Sequence, residues 1–465
     1  MTTIPRTGAV LIDPSGDYMG NLLWPGLLPA EQREALPAAI AVISAQGYWV
    51  SPFPEGDGVT FQRNGETPYD SDAALADFRA AFAFLDLDVL DPGEGQARAL
   101  ARLAGDRKIT CTCLVPVEGL RLEASFDLGE TRFHAPVDGT EKRLADHAWR
   151  ELCDVPGADV GPSWAPDARA RGTTELLGHP LIERKIEVPL SAFYEADASF
   201  DSQSPLLRLV MEEADHALDP VRFDLCHYRR LQYLPAKAGW IGETALAYVE
   251  PEGRALKARY LQGKPYVLRV SNIWLGLEVD GGGLSWAPPL ADMVVDNRAG
   301  DEITVALKAA LRALNRAFYL VELEASFLHL VYAIDALCEP GDLRGGRHRL
   351  WVSAFGSGGD AARFATLLAE FDRHYGVRNR IVHEGATFAG LGLVGEEQCQ
   401  FMLELLGACI LTFVREGFAT RRTAAKFAFN ALTSPAFTPH VTAMTPKNFK
   451  LPLTADAGFT AHMQP

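Results

Sequence analysis

An eight-residue run near the C-terminal end, RNRIVHEG (378–385), holds the residue types that RNA cleavage without a metal requires. Arg378 carries a planar guanidinium fork that fits two phosphate oxygens, and the imidazole of a histidine such as His383 is a side chain that exchanges protons near neutral pH. Asn379 adds an amide able to orient either group. In a helix each residue turns by about 100°, which puts Asn379 and His383 on one face and Arg378 about 140° from His383. The arginine stem is long enough to swing back toward that face. The same residues also admit a structural reading. A histidine near a helix end suits the dipole, Gly385 can take the left-handed turn that ends the helix, and Arg378 and Asn379 then flank the core positions Ile381 and Val382.

Further candidates surround this run. His374 and Tyr375 precede it and are placed to line its mouth. Arg347 and Arg349, with Arg344 and His348, form a basic loop that either follows an RNA backbone or is simply solvated. Arg380, inside the run, is another backbone candidate, and Arg421, Arg422 and Lys426 put cations near a helix end, where they are common anyway. Asp215-His216 and Cys226-His227 have no partners at metal spacing and read as structural. FGSGGD (355–360) lacks the lysine and hydroxyl of a phosphate-binding loop and reads as a connector. No metal site and no cofactor is expected.

The elements that must position these residues follow from periodicity. From Asp301 the chain is almost wholly helical, with helices expected over 302–319, 321–338, 361–374, 376–384, 396–417 and near 421–430. Breaks fall at Pro340-Gly341, at the glycines of 356–359 and at those of 385–395. This pattern predicts an antiparallel helical bundle with the RNRIVHEG run on an inner helix. Between 107 and 300 the period is two: Ile109, Cys111, Cys113 and Val115 alternate with their neighbours, a turn is expected at Glu118-Gly119, and Leu120, Leu122, Ala124 and Phe126 alternate again. Further strands are expected at 185–190, 266–270 and 273–279, with one helix capped by Ser204 and begun by Pro205. Residues 1–106 mix both types. Asp70 or Ser71 starts a helix with Leu75, Phe78, Phe82 and Leu85 on its apolar face, Pro37 should delay or kink a helix over 30–46, and Asn64-Gly65 reads as a hairpin turn. The expected fold class is therefore α+β and multidomain: a mixed region 1–106, a strand-rich domain 107–300, an all-α bundle 301–430 and a tail 431–465.

Composition bounds the function. Of 465 residues, 48% are hydrophobic and 22% charged, as in soluble globular chains. The start, MTTIPRTGAVLIDPSG, lacks a signal peptide's apolar run. The apolar stretch 401–414 is shorter than a membrane span and contains Glu404, so it reads as a core helix, rich enough in apolar groups for a second contact. Seven scattered cysteines without a CxxC pair suit a reducing cytoplasm. The net charge of −16 lies in residues 1–300, which carry 28 Lys+Arg against 44 Asp+Glu, whereas 301–430 carry 14 against 15. An acidic front argues against duplex DNA as a partner, while leaving room for a small basic pocket in the last third.

Residues 301–430 resemble a HEPN domain, most closely the Apea-like branch. That family is an all-α bundle that pairs two-fold and carries an arginine, four to six residues, then a histidine, often with a polar residue directly after the arginine. Arg378, Asn379 and His383 match those positions in turn. A preceding family helix reads Ala-hydrophobic-Glu-x-Leu, where this chain has Ala333-Ile334-Asp335-Ala336-Leu337, with aspartate for glutamate. VPVEGLRLEASFDLGETRF (115–133) is similar to the paired strands of proteins that carry this domain. The resemblance implies a metal-independent endoribonuclease with His383 as general base or acid, Arg378 stabilising phosphoryl charge, Asn379 orienting, and Asp335 holding Arg378 or supporting the histidine. Two proton transfers and one suitable histidine per chain imply a homodimer through the bundle. Phage defence or a toxin–antitoxin pair, with a phage or antitoxin protein as partner, is the implied setting. The same signature also fits a non-catalytic HEPN module that dimerises and binds nucleotide or RNA.

Overall fold

The computed structural model describes residues 10–12, 20–22, 28–52, 59–63, 71–85, 87–89, 107–135, 178–195, 205–242, 244–252, 259–263, 277–279, 287–294, 301–338 and 346–444, with Gly105 and Leu284. The chain is mixed α+β, with sheets in the N-terminal half and a largely helical C-terminal region. It divides into two compact units: residues 1–118, 131–215 and 236–268 form one, and residues 119–130, 216–235 and 269–465 the other. The helical unit thus gathers two short segments from the middle of the chain.

In the first unit, strands β1 (Val10–Ile12), β2 (Gly20–Leu22), β3 (Tyr48–Pro52), β4 (Val59–Arg63) and β5 (Leu87–Val89) form a sheet in the order β3-β4-β2-β1-β5. Helices α1 (Ala30–Ala45) and α2 (Ser71–Ala81) supply Leu36, Ala39, Ile43 and Phe78 to a core shared with Phe61 and Phe82. The expected apolar face of α2 is the buried one. Pro37, expected to delay or kink α1, does not delay it: the helix begins at Ala30 and runs through the proline. Its lost hydrogen bond and ring clash cost about 3 kcal/mol, and burying Leu36 and Ile43 on either side contributes about 1.5–3 kcal/mol each. After β6 (Lys108–Pro116) come β7 (Leu120–Leu122), β8 (Phe126–Leu128) and β9 (Thr131–His134). A second sheet centres on β6, which pairs antiparallel with β10 (Leu181–Pro189), itself beside β9, and with β12 (Thr244–Pro251), itself beside β11 (Trp240–Ile241). Cys111 and Cys113 both point into its core, as their two-residue spacing predicts. Helix α3 (Leu190–Glu195) follows β10, and helix α4 (Pro205–Ala217) begins at Pro205, as expected. Ser204, the Asn64-Gly65 turn, the strand at 266–270 and Arg344 lie outside the described residues.

In the second unit, α7 (Glu302–Phe318) is started by Asp301, whose carboxylate accepts from the Thr304 amide at 2.8 Å. It packs on α8 (Leu323–Cys338), which packs in turn on α11 (Gly395–Glu416). Two sequence expectations change here. The basic loop around Arg347 and Arg349 belongs to a helix, α9 (Gly346–Ser357), with Leu350, Trp351, Val352, Ala354 and Phe355 buried. The helices expected over 361–374 and 376–384 are one, α10 (Ala361–Glu384), which runs through Gly376. An interior glycine costs about 1 kcal/mol, less than the burial of Phe364, Leu368 and Phe371 along one face contributes. Helix α11 is long and apolar enough to cross a membrane by composition, yet 67% of its apolar window is buried inside the bundle. It is a core helix, so its apolar residues are taken up within the chain rather than left for a second contact. Helices α5 (Asp219–Leu225), α6 (Ala287–Val294), α12 (Arg421–Leu432), with Thr420 and Thr423 in a reciprocal cap, and α13 (Thr438–Met444) also belong to this unit.

Candidate active site on the RNRIVHEG helix

The last turns of α10 carry the motif. Gly385 ends the helix with φ +65°, and its amide and that of Ala386 reach back to the Arg380 carbonyl. His383 sits in the last turn and is exposed, one turn beyond the half-buried Asn379. Because α10 is continuous, Arg378 and His383 keep their angular separation of about 140°. The Arg378 side chain meets Asn379 and Tyr375. Its Nη1 donates to Asn379 Oδ1 at 3.2 Å, and its Cζ lies 5.6 Å from the centroid of the Tyr375 ring. Its Nε is buried and has no hydrogen-bond partner among the described residues.

The other arginines of these turns are committed. Arg373 pairs with Glu370 at 2.6 Å and Arg380 with Glu384 at 3.3 Å, both on the solvent side. Of Arg373, Arg378 and Arg380, Arg378 alone has no carboxylate partner among the described residues. Asp335, expected to hold Arg378 or to support the motif histidine, instead faces His348 of α9, with Oδ1 3.1 Å from Nε2. The alignment is poor enough that neither atom completes a hydrogen bond, so proximity rather than a well-formed bond defines the pair. Asp335 is drawn there because α8 and α9 are joined end to beginning, which brings Asp335 near the first turn of α9. Arg349, expected as a backbone cation, is bound to Asp372 at 2.7 Å and lies 5.2 Å over the same Tyr375 ring. Arg347 lies in the first turn of α9. Arg421, a weaker candidate, spends a guanidinium nitrogen on the Ala336 carbonyl at 3.0 Å.

Tyr375 therefore belongs to the site, and His374 does not. His374 is 2% exposed, stacks on Phe401 of α11 with centroids 4.0 Å apart, and donates from Nδ1 to the Glu370 carbonyl at 2.7 Å. Burial holds its pKa below the ordinary value near 6.5. The unfolded chain then takes up this proton first. The histidine's contribution to stability is present above about 6.5 and is lost as pH falls below that value through the lowered folded pKa. A His374→Phe variant, which keeps the ring stack, should close its stability gap to the parent as pH drops from 7.5 to 5.5. Urea midpoints at the two pH values check this.

His348, expected in a basic loop, is a buried residue of α9. Its signal was available: His348, Trp351, Val352 and Phe355 recur at helical spacing, but the glycines around them masked the helix. Asp215, read from sequence as structural, accepts from the Ala238 amide at 2.9 Å, and His216 meets Arg312 at 3.3 Å. Among the described residues, no three His, Cys, Asp or Glu side chains gather at metal-binding distance.

The arrangement offers a guanidinium with free donors, an amide beside it and an accessible imidazole one turn on. Comparison of the chain with family models, curated proteins and solved structures finds no match.

Proposed function

We propose that this protein is a HEPN-type endoribonuclease that cleaves RNA without a metal and works as a two-fold dimer of its helical unit. Arg378 carries the reading. It is a half-buried cation with no carboxylate beside it among the described residues, and a phosphodiester is a partner that suits such a guanidinium. A ribose 2′-oxygen attacks the adjacent phosphorus as an imidazole takes its proton. Arg378 meets the charge that builds on the phosphoryl oxygens, and the 5′-oxygen leaves with a proton from a second imidazole. The products are a 2′,3′-cyclic phosphate and a 5′-hydroxyl. Arg378 and His383 lie about 140° apart on one helix, so a second copy supplying its own His383 completes the site better than one chain can. Tyr332 on α8 and Val382 beside the histidine are exposed apolar groups suited to that pairing. The family setting of phage defence or a toxin–antitoxin pair goes with this reading.

One feature favours the non-catalytic alternative, a bundle that binds RNA or nucleotide without cutting. Arg378 is held by Tyr375 and Asn379 on its own helix, which suits binding alone. The deciding experiment is incubation of the full chain with RNA in excess chelator, followed by analysis of the new ends. Cyclic phosphate ends, with a solution mass of two chains, are expected. Activity that vanishes with chelator and returns with magnesium rules the mechanism out, and intact RNA bound to the protein establishes the alternative.

A further inference from the structure

We propose that Tyr375 is the positioning residue for Arg378: its ring, braced by His348 and Arg349 of α9, aims the motif guanidinium in place of a carboxylate. This rests on the nuclease reading above and adds how its cation is held.

Four side chains converge on the Tyr375 ring. Phe371 meets it edge-on at 5.9 Å, His348 lies at 6.1 Å and 56°, and the guanidinium carbons of Arg349 and Arg378 lie 5.2 and 5.6 Å from its centroid. Tyr375 and Arg378 are three residues apart on one helix, so they share a face. The brace is itself fixed: His348 is 4% exposed and set against Asp335, while Arg349 is tied to Asp372. Asp372 also offsets the charge of Arg349, so the second cation at the ring does not expel the first.

The choice of holder matters chemically. A carboxylate paired with Arg378 would occupy the fork that a phosphate needs. An aromatic ring attracts the guanidinium through its quadrupole and takes no N–H donor. Among the described residues the guanidinium bonds only through Nη1, to Asn379, and Nε is buried, so no carboxylate takes up its outer edge. Tyr375 thus orients the arginine and keeps its donors for the substrate.

The test compares kcat and KM for RNA cleavage by the full-length parent, Tyr375→Phe, Tyr375→Leu and Tyr375→Met, each with a melting temperature. The two aliphatic variants are expected to lose kcat by roughly 3- to 30-fold, with KM within about twofold. Tyr375→Phe, which keeps the ring, should recover most of the rate. A packing role alone lowers melting temperatures and leaves the kcat of folded protein in place. If Tyr375→Leu and Tyr375→Met cleave at the parental kcat, the positioning role is overturned while the nuclease reading stands. If the two aliphatic variants do not fold, Tyr375 is a core residue and the proposal fails. If the parent itself does not cleave, the nuclease reading falls and takes this proposal with it.

Discussion

His383→Ala should abolish RNA cleavage while leaving the fold untouched. General acid–base catalysis by one positioned side chain typically contributes about 10²–10⁴ in rate. In a two-fold site built from two copies of His383, one substitution removes both the base and the acid, so the loss should sit at the upper end. The fold should not respond. His383 is exposed in the last turn of α10, and the helix end is closed by Gly385 rather than by the imidazole. A surface change of this kind moves stability by about 0.5 kcal/mol or less. Cleavage rate and melting temperature measured together check this. An unchanged rate in a folded variant assigns His383 to the helix end alone. A lost rate with retained binding of RNA bearing 2′-O-methyl groups places the loss in the chemistry.

Arg378→Lys should be nearly as damaging as Arg378→Ala. The proposed task is to hold two phosphoryl oxygens in a planar fork as negative charge builds. Lysine keeps the charge, and its ammonium can still sit over the Tyr375 ring. It is a compact donor on a flexible stem and cannot reproduce the bidentate geometry or the bond to Asn379 Oδ1. Losing such a contact costs about 2.7–4 kcal/mol of transition-state stabilisation, on the order of 10²–10³ in rate. A binding-only bundle forecasts otherwise: lysine should retain much of the RNA affinity, because point charges satisfy phosphates well enough for attachment. Cleavage rates of both variants, set beside their melting temperatures, separate the two. Near-parental cleavage by Arg378→Lys removes the clamp role.

Local chemistry made much of this molecule legible from its residues. Asp301 before an apolar-periodic run announces α7, and the side chain caps it as expected. Alternation along 109–115 announces β6, and Cys111 and Cys113 share its buried side. Gly385 after a histidine announces the end of α10. These features depend on neighbours a few residues away, so periodicity and capping suffice to read them. Where glycine or proline stood inside an element, the reading stopped short: α1 passes Pro37, α10 passes Gly376, and α9 forms across a stretch taken for loop. In each case, burial of apolar side chains against distant segments outweighs a local cost of about 1–3 kcal/mol.

The candidate site divides in the same way. The run of Arg378, Asn379 and His383 is visible in the chain, because helix geometry alone relates the three. Their partners are not, since a partner is chosen by which helices lie side by side. Only the packing of α8, α9, α10 and α11 gives Asp335 to His348, ties Arg349 to Asp372, buries His374 against Phe401 and leaves Arg378 over Tyr375 with no carboxylate among the described residues. Charge pairing acts over a few ångströms, and residues tens of positions apart in sequence come within that range through tertiary contact. Sequence determined which side chains could do the chemistry; tertiary packing decided which of them remained free to do it.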